Sequence, residues 1–375
     1  MDKIGIFSFF SGAGFLDLGF EKTGKYDILF VNEFHKAFDY VYRYSRRRMG
    51  IAEPLYGHNV GDISEYLQPE RESELRTQIV EAHQDYPLIG FIGGPPCPDF
   101  SVAGKNKGKD GENGKLSGTY YQLICNLKPD FFLFENVKGL YRTKRHREFF
   151  ESLKRKFKRN GYSLVEQLIN SIEFGAPQDR DRIILIGIRK DVADKLNIPY
   201  KEGSLLNFDW DKHKVISREE VAEINWPKTS PYVENSIKPC PNDVPKELTI
   251  QYWWDKNDVE HHPNENMYFQ PRAGLRRFQT IEEGDDHKKS YKRLNRWRYS
   301  PTAAYGNNEV HIHPYKPRRI SVAEALAIQS LPKEYVIPQD ISLTDAFKTV
   351  GNGVPYLAAK GVALDIYDYL NINNK

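Results

Sequence analysis

The sequence is poor in cysteine, in long apolar runs and in excess charge, and each shortage excludes something. Cys97, Cys125 and Cys240 are the only cysteines in 375 residues and lie far apart with no CxxC spacing. That rules out a disulfide scaffold or a zinc ribbon and predicts a reducing compartment. No apolar run approaches the roughly 20 residues of a membrane span. The opening Met1-Asp2-Lys3-Ile4 lacks the form of a signal peptide. A cytoplasmic protein without a membrane partner is therefore expected. Lys and Arg number 54 against 51 Asp and Glu, a formal charge of +3, too small to name a nucleic-acid partner by its sum. Internal repeats and low-complexity tracts are not evident. What is present, 39% hydrophobic and 28% charged residues, suits a globular chain with room for one large and one smaller domain.

Ile4 to Phe10 reads as a buried strand, and Ser11-Gly12-Ala13-Gly14-Phe15 follows as a glycine turn opening a helix. A second strand, Tyr26 to Val31, ends at Asn32-Glu33. That order is the layout of a nucleotide-binding βαβ unit. Glu33 is placed to accept hydrogen bonds from a ribose, and Gly12 and Gly14 let a ligand approach the backbone. The third glycine of a G-x-G-x-x-G turn is missing, and Phe15 stands where a pyrophosphate would press. The site thus suits adenine and ribose without phosphate, as in S-adenosylmethionine. Asp62 reads equally as an acceptor for an adenine amino group and as a helix N-cap.

The stretch Gly93-Gly94-Pro95-Pro96-Cys97-Pro98-Asp99-Phe100-Ser101 ends another apolar strand in a stiff turn with a single thiol at its tip. Pro98 fits the first position of a helical turn, which would aim backbone N–H groups at the sulfur and favour its nucleophilic thiolate. Beyond it, Ala103 to Lys115 is rich in glycine and lysine and predicts a cationic lid. Phe131-Phe132-Leu133-Phe134 is a buried strand with Glu135 at its tip, a carboxyl group whose pKa should be raised. Gln178, Arg180 and Arg182 share one face of an extended segment, where either a ligand or acids elsewhere in the fold would meet the arginines. Val350-Gly351-Asn352-Gly353-Val354-Pro355 is a late turn that reads either as closing a site by returning to the first domain or as an ordinary turn leading into a helix.

Two basic runs contain aromatics, Tyr42 to Arg48 and Lys288 to Tyr299. Both have the composition of a nucleic-acid-reading surface, and both also fit a solvated face. His311 and His313 lack the acidic or thiol neighbours of a metal site and read as structural.

Six stretches, Phe10 to Phe15, Gly94 to Ser101, Glu135-Asn136-Val137, Gln178 to Arg182, Arg319 to Gln329 and Gly351 to Pro355, resemble in content and order the DNA (cytosine-5) methyltransferases of bacterial restriction–modification systems. They span nearly the whole chain. Pro98 where Gln is usual and Phe15 where a further Gly is usual are the departures. The resemblance implies an α/β fold, a Rossmann-like S-adenosylmethionine-dependent methyltransferase domain over residues 1–189. A smaller, irregular target-recognition domain would occupy 190–316, a joining helix 317–344 and a return to the catalytic domain 345–375. It implies catalysis by Cys97, Glu135, Arg180 and Arg182, without a metal. Cofactor contacts would come from Phe10, Gly12, Ala13, Gly14, Glu33, Phe34, Asp62, Ile63, Gly94, Pro96, Leu116, Asn352 and Val354. Ser101, Lys105, Arg293 and Arg296 would contact duplex DNA. The implied setting is a monomer at the bacterial nucleoid, with a cognate restriction endonuclease acting separately. The alternative is a tRNA cytosine-5 methyltransferase, but that branch carries a Cys-Phe-Thr signature, whereas Cys240 stands between Pro239 and Pro241.

Overall fold

The computed structural model describes residues 3–96, 112–271, 275–287, 290–302, 305 and 310–371, with the side chains of 112–114 and 371 left aside. Nine strands form one mixed sheet: β1 (Ile4–Phe9), β2 (Tyr26–Glu33), β3 (His58–Val60), β4 (Ile89–Gly93), β5 (Phe131–Val137), β6 (Tyr162–Asn170), β7 (Asp181–Arg189), β8 (Tyr200–Lys201) and β9 (Ser204–Leu205). Their order is β3-β2-β1-β4-β5-β7-β6-β9-β8. β1 to β5 run parallel, whereas β7 is antiparallel to both its neighbours. β1 is buried along all six residues, as a central parallel strand covered on both faces must be. The chain turns outward in both directions from β1, so the switch point lies between β1 and β4, where open α/β sheets bind ligands beyond the strand ends.

Helices α1 (Phe15–Glu21), α2 (Lys36–Arg48), α3 (Pro69–Ala82), α4 (Glu112–Leu127) and α5 (Lys144–Arg159) cover the sheet. They are followed by α6 (Lys190–Lys195), α7 (Arg218–Glu223), α8 (Ile250–Lys256), α9 (Leu275–Thr280), α10 (Val322–Ile328), α11 (Leu343–Asn352) and α12 (Tyr356–Asn371). The pleat sends Phe131 and Leu133 to one face and Phe132 and Phe134 to the other. The first face packs Phe20 of α1 and Val362, Ala363 and Ile366 of α12. The second packs Leu75, Leu123, Phe150 and Phe157 of α3, α4 and α5. A third cluster joins Phe15 and Leu18 to Trp253, Trp254, Tyr335 and all of α10 except Glu324. A capping box between Ser321 and Glu324 starts α10. None of the described helices is long and apolar enough to cross a membrane.

The structure departs from the sequence reading at several places. Glu135 is not a tip: β5 continues to Val137 because β7 pairs with it residue for residue, Glu135 opposite Ile184 and Val137 opposite Arg182. Of the segment expected to be a lid, Ala103 to Gly111 lie outside the described residues, and from Glu112 onward the chain is helical as part of α4. Residues 200–205 add β8 and β9 to the main sheet, and Phe208 packs against both Trp210 and Tyr369. The boundary expected at 190 therefore cuts through the sheet's own edge. Phe15 turns into the core edge-on to Tyr335 and fills the space left by Gly353, so it presses on no ligand. In the first basic run Arg46 is buried, paired with Glu21 at 3.0 Å and laid over the Tyr42 ring at 3.6 Å, out of reach of any phosphate.

Candidate active site

β1 and β2 end side by side, and the turn between β1 and α1 wraps over them. Phe10, Gly12 and Gly14 all have positive φ. At Gly14 a side chain would run into Tyr42 and Arg46 as well, so this position needs glycine twice over. Glu33 is buried, and its carboxylate accepts the Gly12 N–H at 2.8 Å and the His35 N–H at 2.8 Å. Burial raises its pKa, with those two hydrogen bonds pulling the other way. Each oxygen keeps a further lone pair for a hydroxyl donor.

The residues present fit an adenosine-type cofactor. A side chain on Gly12 would meet only open space, the Ser11 hydroxyl is buried with no hydrogen-bond partner, and the Phe34 ring is 63% exposed next to Glu33. Asp62 caps the 3-10 turn Ile63–Leu67 by accepting the Ser64 N–H through Oδ1 at 2.8 Å. The capping alternative is thus realised, while Ile63 is buried beneath. Phe10 meets the Tyr120 ring edge-on, Ala13 is buried, and Leu116 is partly buried against the second core face. At the far end of the chain Asn352 is exposed and Val354 buried. Their turn is held by Arg180, which donates to the Gly351 carbonyl at 2.6 Å, and by Gln329, which donates to the Val350 carbonyl at 2.8 Å.

On the far side of β4, Glu135 and Arg182 meet as diagonal neighbours on the same face of the β5–β7 pair, Nε to Oε1 at 2.7 Å. The Glu135 side chain is 12% exposed. Burial raises its pKa, and the charges of Arg182 and Arg180 only partly offset this. The sequence left open which arginine braces and which reaches the site. Arg182 lies on the carboxylate, while Arg180 holds the Gly351 turn. Gly94 is backed against Glu135: a Cβ there would lie 2.5 Å from Oε2. The loop that leads to Cys97 therefore leaves β4 in contact with this carboxylate. Asn136, to which the sequence gave no role, donates to the Pro95 carbonyl at 3.4 Å and ties that loop to β5. Its only sequence signal is its place beside Glu135. Pro96 is exposed. Cys97, Ser101 and Lys105 lie outside the described residues.

Arg293 and Arg296, expected to contact DNA, are instead buried with internal partners. Arg293 is fully buried and donates to the carbonyls of Ile281, Phe278 and His313. Arg296 is gripped by Glu283 at 2.8 Å and reaches the Ser236 hydroxyl at 2.8 Å. Burial pushes Glu283 up, but hydrogen bonds from Arg296 and Lys238 outweigh it and hold the carboxyl below its usual value. These cations build the scaffold of the region. Arg296→Ala should cost about 3 kcal/mol in urea unfolding, since it removes one of the two cations that hold a buried carboxylate. The salt dependence of DNA binding should not change, because no phosphate contact is lost. His313 is likewise internal, 3.4 Å from Glu324, and burial lowers it to about 4.

The family model for C-5 cytosine-specific DNA methylase matches residues 4–368. The Type II methyltransferase M.NmeDI of Neisseria meningitidis serogroup C is 59% identical over 365 residues, 97% of this chain and 84% of that enzyme. M.MthTI of Methanothermobacter thermautotrophicus, also a Type II methyltransferase, is 29% identical, with 96% of each chain covered. Among solved structures, a prophage-encoded DNA modification methyltransferase of E. coli superposes with a TM-score of 0.65 at 21% identity, covering 98% of this chain and all of that one. The S. pombe Dnmt2 methyltransferase gives 0.59 at 13% identity, with 99% of each covered. These two likenesses concern the fold.

Proposed function

The chain belongs to the C-5 cytosine-specific DNA methylase family, and from that premise we propose how its residues divide the reaction. The protein methylates C5 of cytosine in DNA and uses S-adenosylmethionine. The tRNA alternative loses its ground to the identity with a Type II DNA methyltransferase along almost the whole chain.

C5 of cytosine is a weak nucleophile inside a base stack. The base is flipped out of the duplex, at roughly a few kcal/mol, into the space between the ends of β4 and β5. The Cys97 thiolate adds to C6 while Glu135 holds a proton at N3, so the ring electrons collect at C5. Arg182 fixes Glu135 and faces O2 of the base. Bound S-adenosylmethionine supplies an electrophilic methyl group. Departure of the C5 proton and then of the Cys97 sulfur restores the ring. Phe10, Gly12, Ala13, Gly14, Glu33, Phe34, Asp62, Ile63, Leu116, Asn352 and Val354 hold the cofactor, with Gly94 and Pro96 along its edge. Arg180 is a brace for the Gly351 turn. Ser101 and Lys105 grip the DNA backbone. Target reading belongs to the part of residues 190–316 beyond the edge strands β8 and β9. The protein acts as a monomer beside a restriction endonuclease of the same specificity.

The observation that carries this reading is the Glu135–Arg182 pair with the Cys97 loop leaving β4 against it. Bisulfite sequencing of DNA from cells expressing the protein tests it. Cytosines at one recurring duplex sequence should resist conversion, and conversion everywhere, as in cells without the protein, would refute it.

A further inference from the structure

Resting on the reading that Ser11 to Gly14 cradles the cofactor, we propose that Tyr335 is a positioning residue whose hydroxyl holds the Ala13–Gly14 peptide in the orientation that receives it. Tyr335 is fully buried, far along the chain from the turn, and donates to the Ala13 carbonyl at 2.8 Å. Its ring meets Phe15 edge-on. Its own backbone is fixed in turn: His262 Nε2 lies 3.2 Å from the Tyr335 carbonyl, and Asn264 bonds both the N–H and the carbonyl of Ile337. The next carbonyl of the turn, that of Gly14, is held by Arg46 at 2.9 Å.

The Ala13–Gly14 peptide is free to rotate, because Gly14 accepts either sign of φ. In the observed orientation the Ala13 carbonyl points inward to the phenol, and the Gly14 N–H closes the turn on the Ser11 carbonyl at 2.8 Å. A flip would break both bonds and turn the Ala13 carbonyl oxygen to where the Gly14 N–H stood, against the Ser11 carbonyl oxygen. The two oxygens would repel, and the turn would lose the closed shape that receives the cofactor. Tyr335 closes that route at the cost of no atom on the ligand side.

Steady-state kinetics of the full chain on DNA test the assignment. Tyr335→Phe should raise the KM for S-adenosylmethionine about five- to tenfold, the worth of one neutral hydrogen bond. kcat at saturating cofactor and the KM for DNA should stay within about twofold. Tyr26→Phe removes the same kind of phenol-to-carbonyl bond, to Ala363 at 2.7 Å, at the end of β2 opposite Glu33. It should lower Tm comparably and leave the cofactor KM alone. Phe34→Ala, at an exposed ring, should raise the cofactor KM by itself. If Tyr335→Phe lowers Tm but not cofactor affinity while Phe34→Ala does weaken it, the Tyr335 assignment is wrong and the site reading stands. If neither variant moves the cofactor KM, the site reading falls with it.

Discussion

Cys97→Ser should reduce methyl transfer to DNA by about four orders of magnitude or more, measured as incorporation of labelled methyl groups at saturating substrates. The size follows from what the sulfur is asked to do. Without covalent addition at C6 the cytosine ring has no route to a nucleophilic C5, so no other group in the site supplies part of the effect. A serine hydroxyl in the same place ionises far above neutral pH and is a poorer nucleophile than a thiolate. Binding of S-adenosylmethionine should be unchanged, because the cofactor contacts proposed lie mainly on β1, β2 and the Gly351 turn. Turnover near the parental rate in Cys97→Ser would rule out covalent catalysis altogether.

Glu135→Gln should lower kcat by roughly two to four orders of magnitude, the range expected for loss of a positioned acid–base group. An amide still donates a hydrogen bond to the base but cannot deliver a proton. The pH profile separates this from general damage. Burial raises the Glu135 carboxyl above the ordinary carboxylate value, so its protonated form persists further toward neutrality than in water and is lost as pH climbs through the raised pKa. The alkaline decline of kcat that belongs to Glu135 should therefore disappear in the glutamine variant. The acid-side decline, where the Cys97 thiolate is protonated, should remain. Collapse of cofactor affinity instead would remove Glu135 from the base.

The parts of this fold that were legible in the sequence are those in which short-range pattern and burial coincide. β1, β4 and β5 are covered on both faces, so they appear as uninterrupted apolar runs, and each ends in residues with a special backbone requirement or a charge. The candidate site was legible for the same reason: Glu33, Glu135 and the glycine turn stand at the ends of such runs. Arg293 and Arg296 were misread because a basic, aromatic run looks the same whether its guanidiniums meet phosphates or carbonyls. The partners that decide it, Glu283 and the carbonyls of Phe278, Ile281 and His313, are set by tertiary folding. Phe15 was misread likewise, since its destination beside Tyr335 and Gly353 lies at the other end of the chain. β8 and β9 have two residues each, too few for any period to show.

Glu135 and Arg182 belong to a ladder of seven paired residues, and side chains in such a ladder alternate from face to face. A shift of one residue would put the two groups on opposite sides of the sheet. A one-residue error of alignment therefore abolishes this pair outright. Surrounding loops are free to lengthen, shorten or change composition without detuning it, which leaves room for the DNA-reading portion to diverge while the chemistry stays constant.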